Sequence, residues 1–416
     1  MEVTTTEPWL EGIPLASDKF RTVREETIFG CGKWDAQVGD VSVLHDTPLV
    51  LRADSWAEIS SLAEGLARET VAAEAELRRR PELHRRLGLG WRLRRALRCS
   101  AADGATTPFH VLRFDFHWTD NGWRVSEVNS DVPGGFIEAS GFTRLFAAQV
   151  DGAVATGDPT ALLSDAIARW VTVGGTVGLV HATAYTDDRQ VMQFLQRSLR
   201  KRGIEALLLS PRDVRWAGRQ ATGHDGRVWR KLDLIHRFFP AEWLPNLGWF
   251  APWNGFFGNS DTPQVNPPSA LLTQSKRFPL AWDALETELP LWRNLLPETC
   301  DPRERERRGG EWVLKPALGR VGEGIDLSGV TAPAERAKIQ REARRRPHEW
   351  AAQRRFNAVP WSTQAGSLFP AIGVYVIDGH AAGIYARAAQ KPLVDSHAFD
   401  IAVLVEDDST TLSLRS

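Results

Sequence analysis

Arg113, Asp115 and His117 alternate with Phe114, Phe116 and Trp118, and Glu127 and Asn129 follow beyond an Asp-Asn-Gly sequence. Alternation of period two is the pattern of a β-strand with one apolar face and one polar face. The turn decides whether the carboxylates meet. A three-residue loop of Asp120, Asn121 and a left-handed Gly122 pairs Thr119 with Trp123, and sets Asp115 opposite Glu127 and His117 opposite Val125. A two-residue Asn-Gly turn puts Asp115 and Glu127 on opposite faces. Only the first gathers two carboxylates and the Asn129 carbonyl into an all-oxygen group suited to Mg²⁺. The plain alternative is a solvated strand face, and His117 reads as a pocket-lining group.

A second chemistry-bearing stretch is WVLKPALGRVGEGIDL, residues 312–327. An apolar strand carries Lys315, and Gly319, Gly322 and Gly324 follow, so backbone N–H groups can approach phosphate oxygens beside a point charge. The spacing is neither a Walker A sequence nor GxGxxG. Lys276 opens a helix expected near 270–286, and Arg387 stands near the end of a hairpin whose turn is Asp378-Gly379. Alone, these two read as a surface lysine and a structural ion-pair arginine.

The elements that carry these residues read as α/β with mixed sheets. A helix begins at about Ser55, with Ser55 and Glu58 as a capping box. Residues 135–150 and 160–171 read as helices. TVGLVHA (176–182), an amphipathic helix over 187–203 and IEALLLS (204–210) form a βαβ unit, which implies a parallel sheet. Residues 245–270 are an irregular aromatic connection, in which Trp249 and Trp253 are candidates to line a substrate opening. The 416 residues carry a net charge of −1, which provides no global field toward nucleic acid or anionic lipid. The arginine-rich run 76–98 reads as a solvated helix face, with steeply salt-dependent nucleic-acid binding as the weaker alternative. Cys31, Cys99 and Cys300 are far apart and read as small core residues rather than disulfide partners. No secretory signal and no membrane span is expected, which points to the cytoplasm.

Together the motifs resemble one family in order: the synthetase part of glutathionylspermidine synthase and its relatives, a circularly permuted branch of the ATP-grasp ligases. RFDF, EVNSD, the Lys276 segment with LPLWRNLLP, WVLKPALGR and IDGHAAGIYAR carry the resemblance, as do KWDAQ (33–37) and LIHRFFPAEWL (234–244). It implies a permuted ATP-grasp fold with a βαβ subdomain, as one unit over 1–416. Its subregions would be helices and metal-binding hairpin in 1–150, an α/β part in 151–245, and an ATP-binding part in 265–416. It implies ATP and Mg²⁺ as cofactors. Asp115, Glu127 and Asn129 would be metal ligands, and Lys276 and Lys315 would grip the phosphates. Gly319, Gly322 and Gly324 would form the closing loop, and Gln353 would sit at the adenine hinge. Arg113 and Arg387 would stabilise charge on the transferring phosphoryl group. The implied activity is a carboxylate–amine ligase acting on small molecules, with no nucleic-acid or membrane partner. The alternative is an inactive ATP-binding scaffold. Val132 and Gly134 stand where relatives carry hydroxyl residues, so the acid is expected to differ from glutathione.

Overall fold

Leu112, Phe114 and Phe116 are buried on one side of the strand Val111–Thr119, and this side packs on the core. The computed structural model describes residues 7–38, 41–101, 107–248, 251–319, 324–395 and 397–407. Gly322 and Trp249 lie outside the described residues, as does the Cys99 side chain.

The strand Val111–Thr119 sits in an antiparallel sheet, between its hairpin partner Gly122–Asn129 and the strand Gly366–Ile377. Beyond Gly366–Ile377 lie His380–Ala389 and Phe399–Ile401. The helix Ala53–Arg79 covers the apolar face with Ile59, Ala63, Leu66, Ala73 and Leu77, recurring every three to seven residues. Trp292 closes the same core, with its ring 5.9 Å from Phe114 and its indole N–H donating to Thr70 at 3.0 Å. The helix starts two residues before the expected Ser55, at Ala53. Ser55 and Glu58 are therefore interior, and Arg52 caps without a side-chain hydrogen bond. A further helix, Ser17–Glu25, was not apparent from the sequence.

The expected βαβ unit is present. Thr176–His181, the helix Thr186–Arg200 and Glu205–Leu209 build a parallel sheet, extended by Leu234–Phe238 and Gln264–Val265. Arg237, fully buried, ties this sheet to the end of the hairpin through Asp131, whose other oxygen accepts from the Ala241 N–H at 2.9 Å. A third sheet pairs Trp312–Pro316 and Thr299–Cys300 on either side of Trp350–Arg354. The class is thus α/β with mixed sheets, as the patterning indicates.

The segment 270–286 is not one helix. A short helix, Leu271–Gln274, stops before Lys276, and a 3₁₀ stretch, Phe278–Ala284, resumes with Pro279 in its first turn. Ser275 turns to ψ 130° and ends the first helix, while Pro279 sits in the first turn of the 3₁₀ stretch, where its missing N–H is tolerated. Trp253 packs on Phe257, with rings 5.9 Å apart, instead of lining an opening. Cys31 and Cys300 are buried and unpaired. Among the described residues no helix is long and apolar enough to cross a membrane.

Candidate active site

The hairpin meets neither simple turn expectation in full. Its turn residues are Asp120 and Asn121, so Thr119 pairs with Gly122, Trp118 with Trp123 and His117 with Arg124. Gly122 is left-handed, at φ +79°. The register shifts between Asp115 and Phe116, where Ser126 is the extra residue on the facing strand. That bulge restores Asp115 opposite Glu127 and Arg113 opposite Asn129. The sequence carried a sign of it, since the buried residues of the second strand are Trp123, Val125 and Val128, a step of three where a regular strand steps by two.

The polar face so formed lines a cleft of about 790 Å³, bordered by Arg113, Asp115, Glu127, Asn129, Lys276, Lys315, Gly319, Gln353 and Arg387. Arg113 grips Asp115 with two bonds, Nε to Oδ1 at 2.8 Å and Nη2 to Oδ2 at 3.0 Å. Its third arm donates to the Gly134 carbonyl at 2.6 Å, and its guanidinium lies 5.0 Å from the Tyr385 ring centre. Burial works against the Arg113 charge, but Asp115 more than restores it and holds the group above its ordinary range. Asn129 donates to Asp115 Oδ2 at 3.0 Å.

Lys276 reaches the cleft because its backbone N–H donates to Ala317, while Ser130 and Asp131 bond to the preceding helix through Ala270 and Gln274. Its ammonium stands 2.9 Å from Glu127 and donates to the Gly319 carbonyl at 2.9 Å. Burial raises the Glu127 carboxyl, yet Lys276 and Lys315 outweigh it and bring it down to about 2. Lys315 donates to Gln353 Oε1 at 2.7 Å, and burial lowers its pKa to about 8 against the pull of Glu127. His117 is held neutral by burial, at about 4, and contacts Ser126 at 3.1 Å.

The remaining expected residues differ in placement. Gly319 is close-packed, and a Cβ there would meet the Pro316 ring at 2.3 Å. Gly324 is left-handed at φ +68° but does not border the cleft. Gln353 is 5% exposed and engaged with Lys315. Arg387 lies 3.7 Å from Asp400 and donates to the Ala398 carbonyl at 3.1 Å.

A cluster that sequence reasoning missed closes the other end of the cleft. Lys33, 1% exposed, pairs with Asp35 at 2.9 Å, with Asp400 at 3.0 Å and with Glu138. The Tyr385 hydroxyl meets the same Asp400 at 3.2 Å, so the cluster reaches the ring under Arg113. Asp187 and Asp188 border this end. KWDAQ marked Lys33 as a family segment, but no local signal joins it to residues 138 and 400.

Among the described residues no three of His, Cys, Asp and Glu converge as a metal group. Two carboxylates and one amide do, and their oxygen chemistry fits Mg²⁺. Two of the three already meet cations, Asp115 through Arg113 and Glu127 through Lys276.

The model of the glutathionylspermidine synthase preATP-grasp family matches residues 27–406. The chain belongs to that family. No curated protein sequence matches it at significance. In overall structure this member of the preATP-grasp family is similar to a glutathione synthetase-like effector, GSS30, from Globodera pallida. The TM-score is 0.63 at 10% identity, over 93% of this chain and 96% of that one. It also aligns, at a TM-score of 0.43 and 12% identity, with a protein described as a γ-glutamylcysteine synthetase of Methylobacillus flagellatus KT, over 77% and 86% of the two chains. The fold is that of an ATP-grasp-type synthetase.

Proposed function

We propose that the protein is an ATP- and Mg²⁺-dependent carboxylate–amine ligase that releases ADP and phosphate. The supporting observation is one cleft that gathers Lys276, Lys315, Arg113, Arg387 and the Asp115, Glu127, Asn129 set, in a chain of this family. Lys276 and Lys315 would hold the triphosphate. Val313, Ile325, Leu327 and Phe356 border the same cleft and offer apolar contact to a purine. Asp115, Glu127 and Asn129 would hold Mg²⁺, which supplies charge neutralisation at the phosphates.

In this reading a substrate carboxylate oxygen attacks the γ-phosphorus and the bond to ADP breaks, giving an acyl phosphate. The amine then attacks the acyl carbon, phosphate leaves, and the amine's proton passes to solvent or to a carboxylate. Phosphoryl transfer asks the protein mainly for positioned charge. Arg113, braced by Asp115, Gly134 and Tyr385, is suited to that task, and Arg387 flanks it. The acidic end around Asp35, Glu138, Asp187 and Asp400 suits a cationic amine better than an anion. The acid binds beside Val132 and Gly134, where a Cβ on Gly134 would meet nothing within 4 Å. The cytoplasm is the expected location.

The test is ADP release over a panel of amino acids, peptides and polyamines. Turnover with one acid–amine pair, abolished by Asp115→Asn with Glu127→Gln, is the expected result. Turnover that survives both changes overturns the proposed site. ATP binding without turnover on any pair would favour the scaffold alternative.

A further inference from the structure

The helix Trp91–Ala101 buries Leu93, Ala96 and Leu97 and turns Arg92, Arg95 and Arg98 outward. Three residues on a helix advance about 4.5 Å, so the three guanidiniums form one stripe. Arg85 and Arg86, just before it, are also exposed. None of these five has an ion-pair partner among the described residues, although other arginines on this surface do, such as Arg80 with Glu76 and Glu82.

A second arginine run joins them only in the folded chain. Arg344 and Arg345 end the helix Pro333–Arg345, exposed and likewise without an ion pair among the described residues. The buried Arg277 donates to the Arg86 carbonyl at 2.8 Å and to the Pro347 carbonyl at 3.0 Å, which clamps the two runs side by side. A Cβ on Gly88 would meet the His348 carbonyl at 2.6 Å and Ala317 at 3.0 Å, so the junction is tight and lies two residues from Lys315. On this edge Glu349 is already shared by Arg346 and His348, and Glu82 is taken by Arg80.

Seven guanidiniums without an ion pair among the described residues, on a chain of net charge −1, are a local concentration, not a consequence of composition. Such self-repulsion is relieved by an anionic partner. The cations are all arginine, which matches phosphate in bidentate fashion and stacks on flat rings. Trp91, 63% exposed, offers a ring beside the stripe, with Arg92 5.6 Å from its centre. An aromatic platform within a cationic track is the arrangement that binds unpaired nucleotides. The surrounding apolar side chains point inward, and this is unlike a membrane-inserting face.

We propose that this arginine surface binds a single-stranded polynucleotide, along a track whose far end reaches the rim of the nucleotide cleft. Net charge alone gave no reason to expect such a partner.

The experiment is fluorescence anisotropy of the full chain with a fluorescein-labelled 20-nucleotide oligouridine, and separately an oligothymidine, at 50 and 200 mM KCl. Vesicles of phosphatidylserine and phosphatidylcholine are run in parallel. Binding to either oligonucleotide, weakened roughly fifty-fold by the fourfold rise in salt if about four phosphates are contacted, is expected. Preference between the two probes separates RNA from DNA. Arg92→Glu with Arg95→Glu and Arg98→Glu, and separately Arg344→Glu with Arg345→Glu, should each weaken binding at least tenfold, with thermal melting unchanged. Trp91→Ala should weaken it about fivefold or more without changing the salt slope. Absence of binding at 50 mM, binding indifferent to both arginine variants, or binding to vesicles but to neither oligonucleotide overturns the proposal.

Discussion

Glu127 Oε2 lies 2.9 Å from Lys276 Nζ, so a residue assigned to metal and a residue assigned to phosphate neutralise one another across the cleft. Binding a metal–nucleotide complex exchanges that internal pair for two external ones. Lys276→Met should therefore have opposite effects on the two ligands. Mn²⁺ affinity without nucleotide should rise a fewfold, because Glu127 loses its competitor, while ATP affinity should fall at least tenfold. Paramagnetic titration of Mn²⁺ and calorimetry of ATP measure the two, and a fall in both would contradict the assignment.

Lys315 predicts a pH dependence. Its pKa is lowered to about 8, first by burial and further by Lys276, so the charged form that attracts phosphate is lost as pH rises through 8. ATP affinity should be level below pH 7 and drop roughly tenfold by pH 9, in proportion to the charged fraction. Lys315→Arg should flatten the profile, because a guanidinium stays protonated across this range. Calorimetric titrations at pH 6.5, 7.5 and 9 are sufficient.

The bulge predicts a contrast between insertion and substitution. Inserting an alanine between Ser126 and Glu127 adds a residue beyond the bulge, so Glu127 moves to the position now opposite Phe114 and its side chain turns to the other face. Mg²⁺-dependent ATP binding should be lost. Ser126→Ala keeps the residue count and gives up only the bonds to His117 and the Asp115 carbonyl, and should bind ATP within about threefold of the parent. Equal behaviour of the two variants would remove the bulge from the account.

Lys33 predicts a stability effect with a definite sign in pH. Its ammonium is held well above its usual range by Asp400, Glu138 and Asp35, despite burial. Lys33→Met leaves three carboxylates around an apolar tip and should cost about 3–5 kcal/mol at pH 7. Burial raises the Glu138 carboxyl, and without Lys33 it rises further, so the variant should regain part of the loss as pH falls toward 5, where that carboxyl takes up a proton. Denaturant melts of both proteins at pH 7 and 5 make the comparison.

Local pattern carried much of the fold. The alternation through Phe114 and Phe116, the βαβ spacing of 176–210, and an Asp378-Gly379 turn with both residues at positive φ are each encoded in one contiguous stretch. What local pattern could not carry was anything set by partners distant in sequence. The Lys33 cluster draws on residues 35, 138 and 400, and the Gln353 side chain is claimed by a lysine on the next strand. The Ser126 bulge was present as a step of three in the apolar spacing, but a regular strand was assumed. The chain leaves helical backbone at Ser275, where apolar periodicity alone ran straight through.

The strand Val111–Thr119 finds its second neighbour in Gly366–Ile377, about 250 residues later. During synthesis at ~5–20 residues per second, its open edge therefore waits on the order of ten to fifty seconds for closure, with Phe114 and Phe116 on offer to any other chain. Translation speed and chaperone supply, more than the strength of the finished sheet, should govern how much active protein a cell obtains.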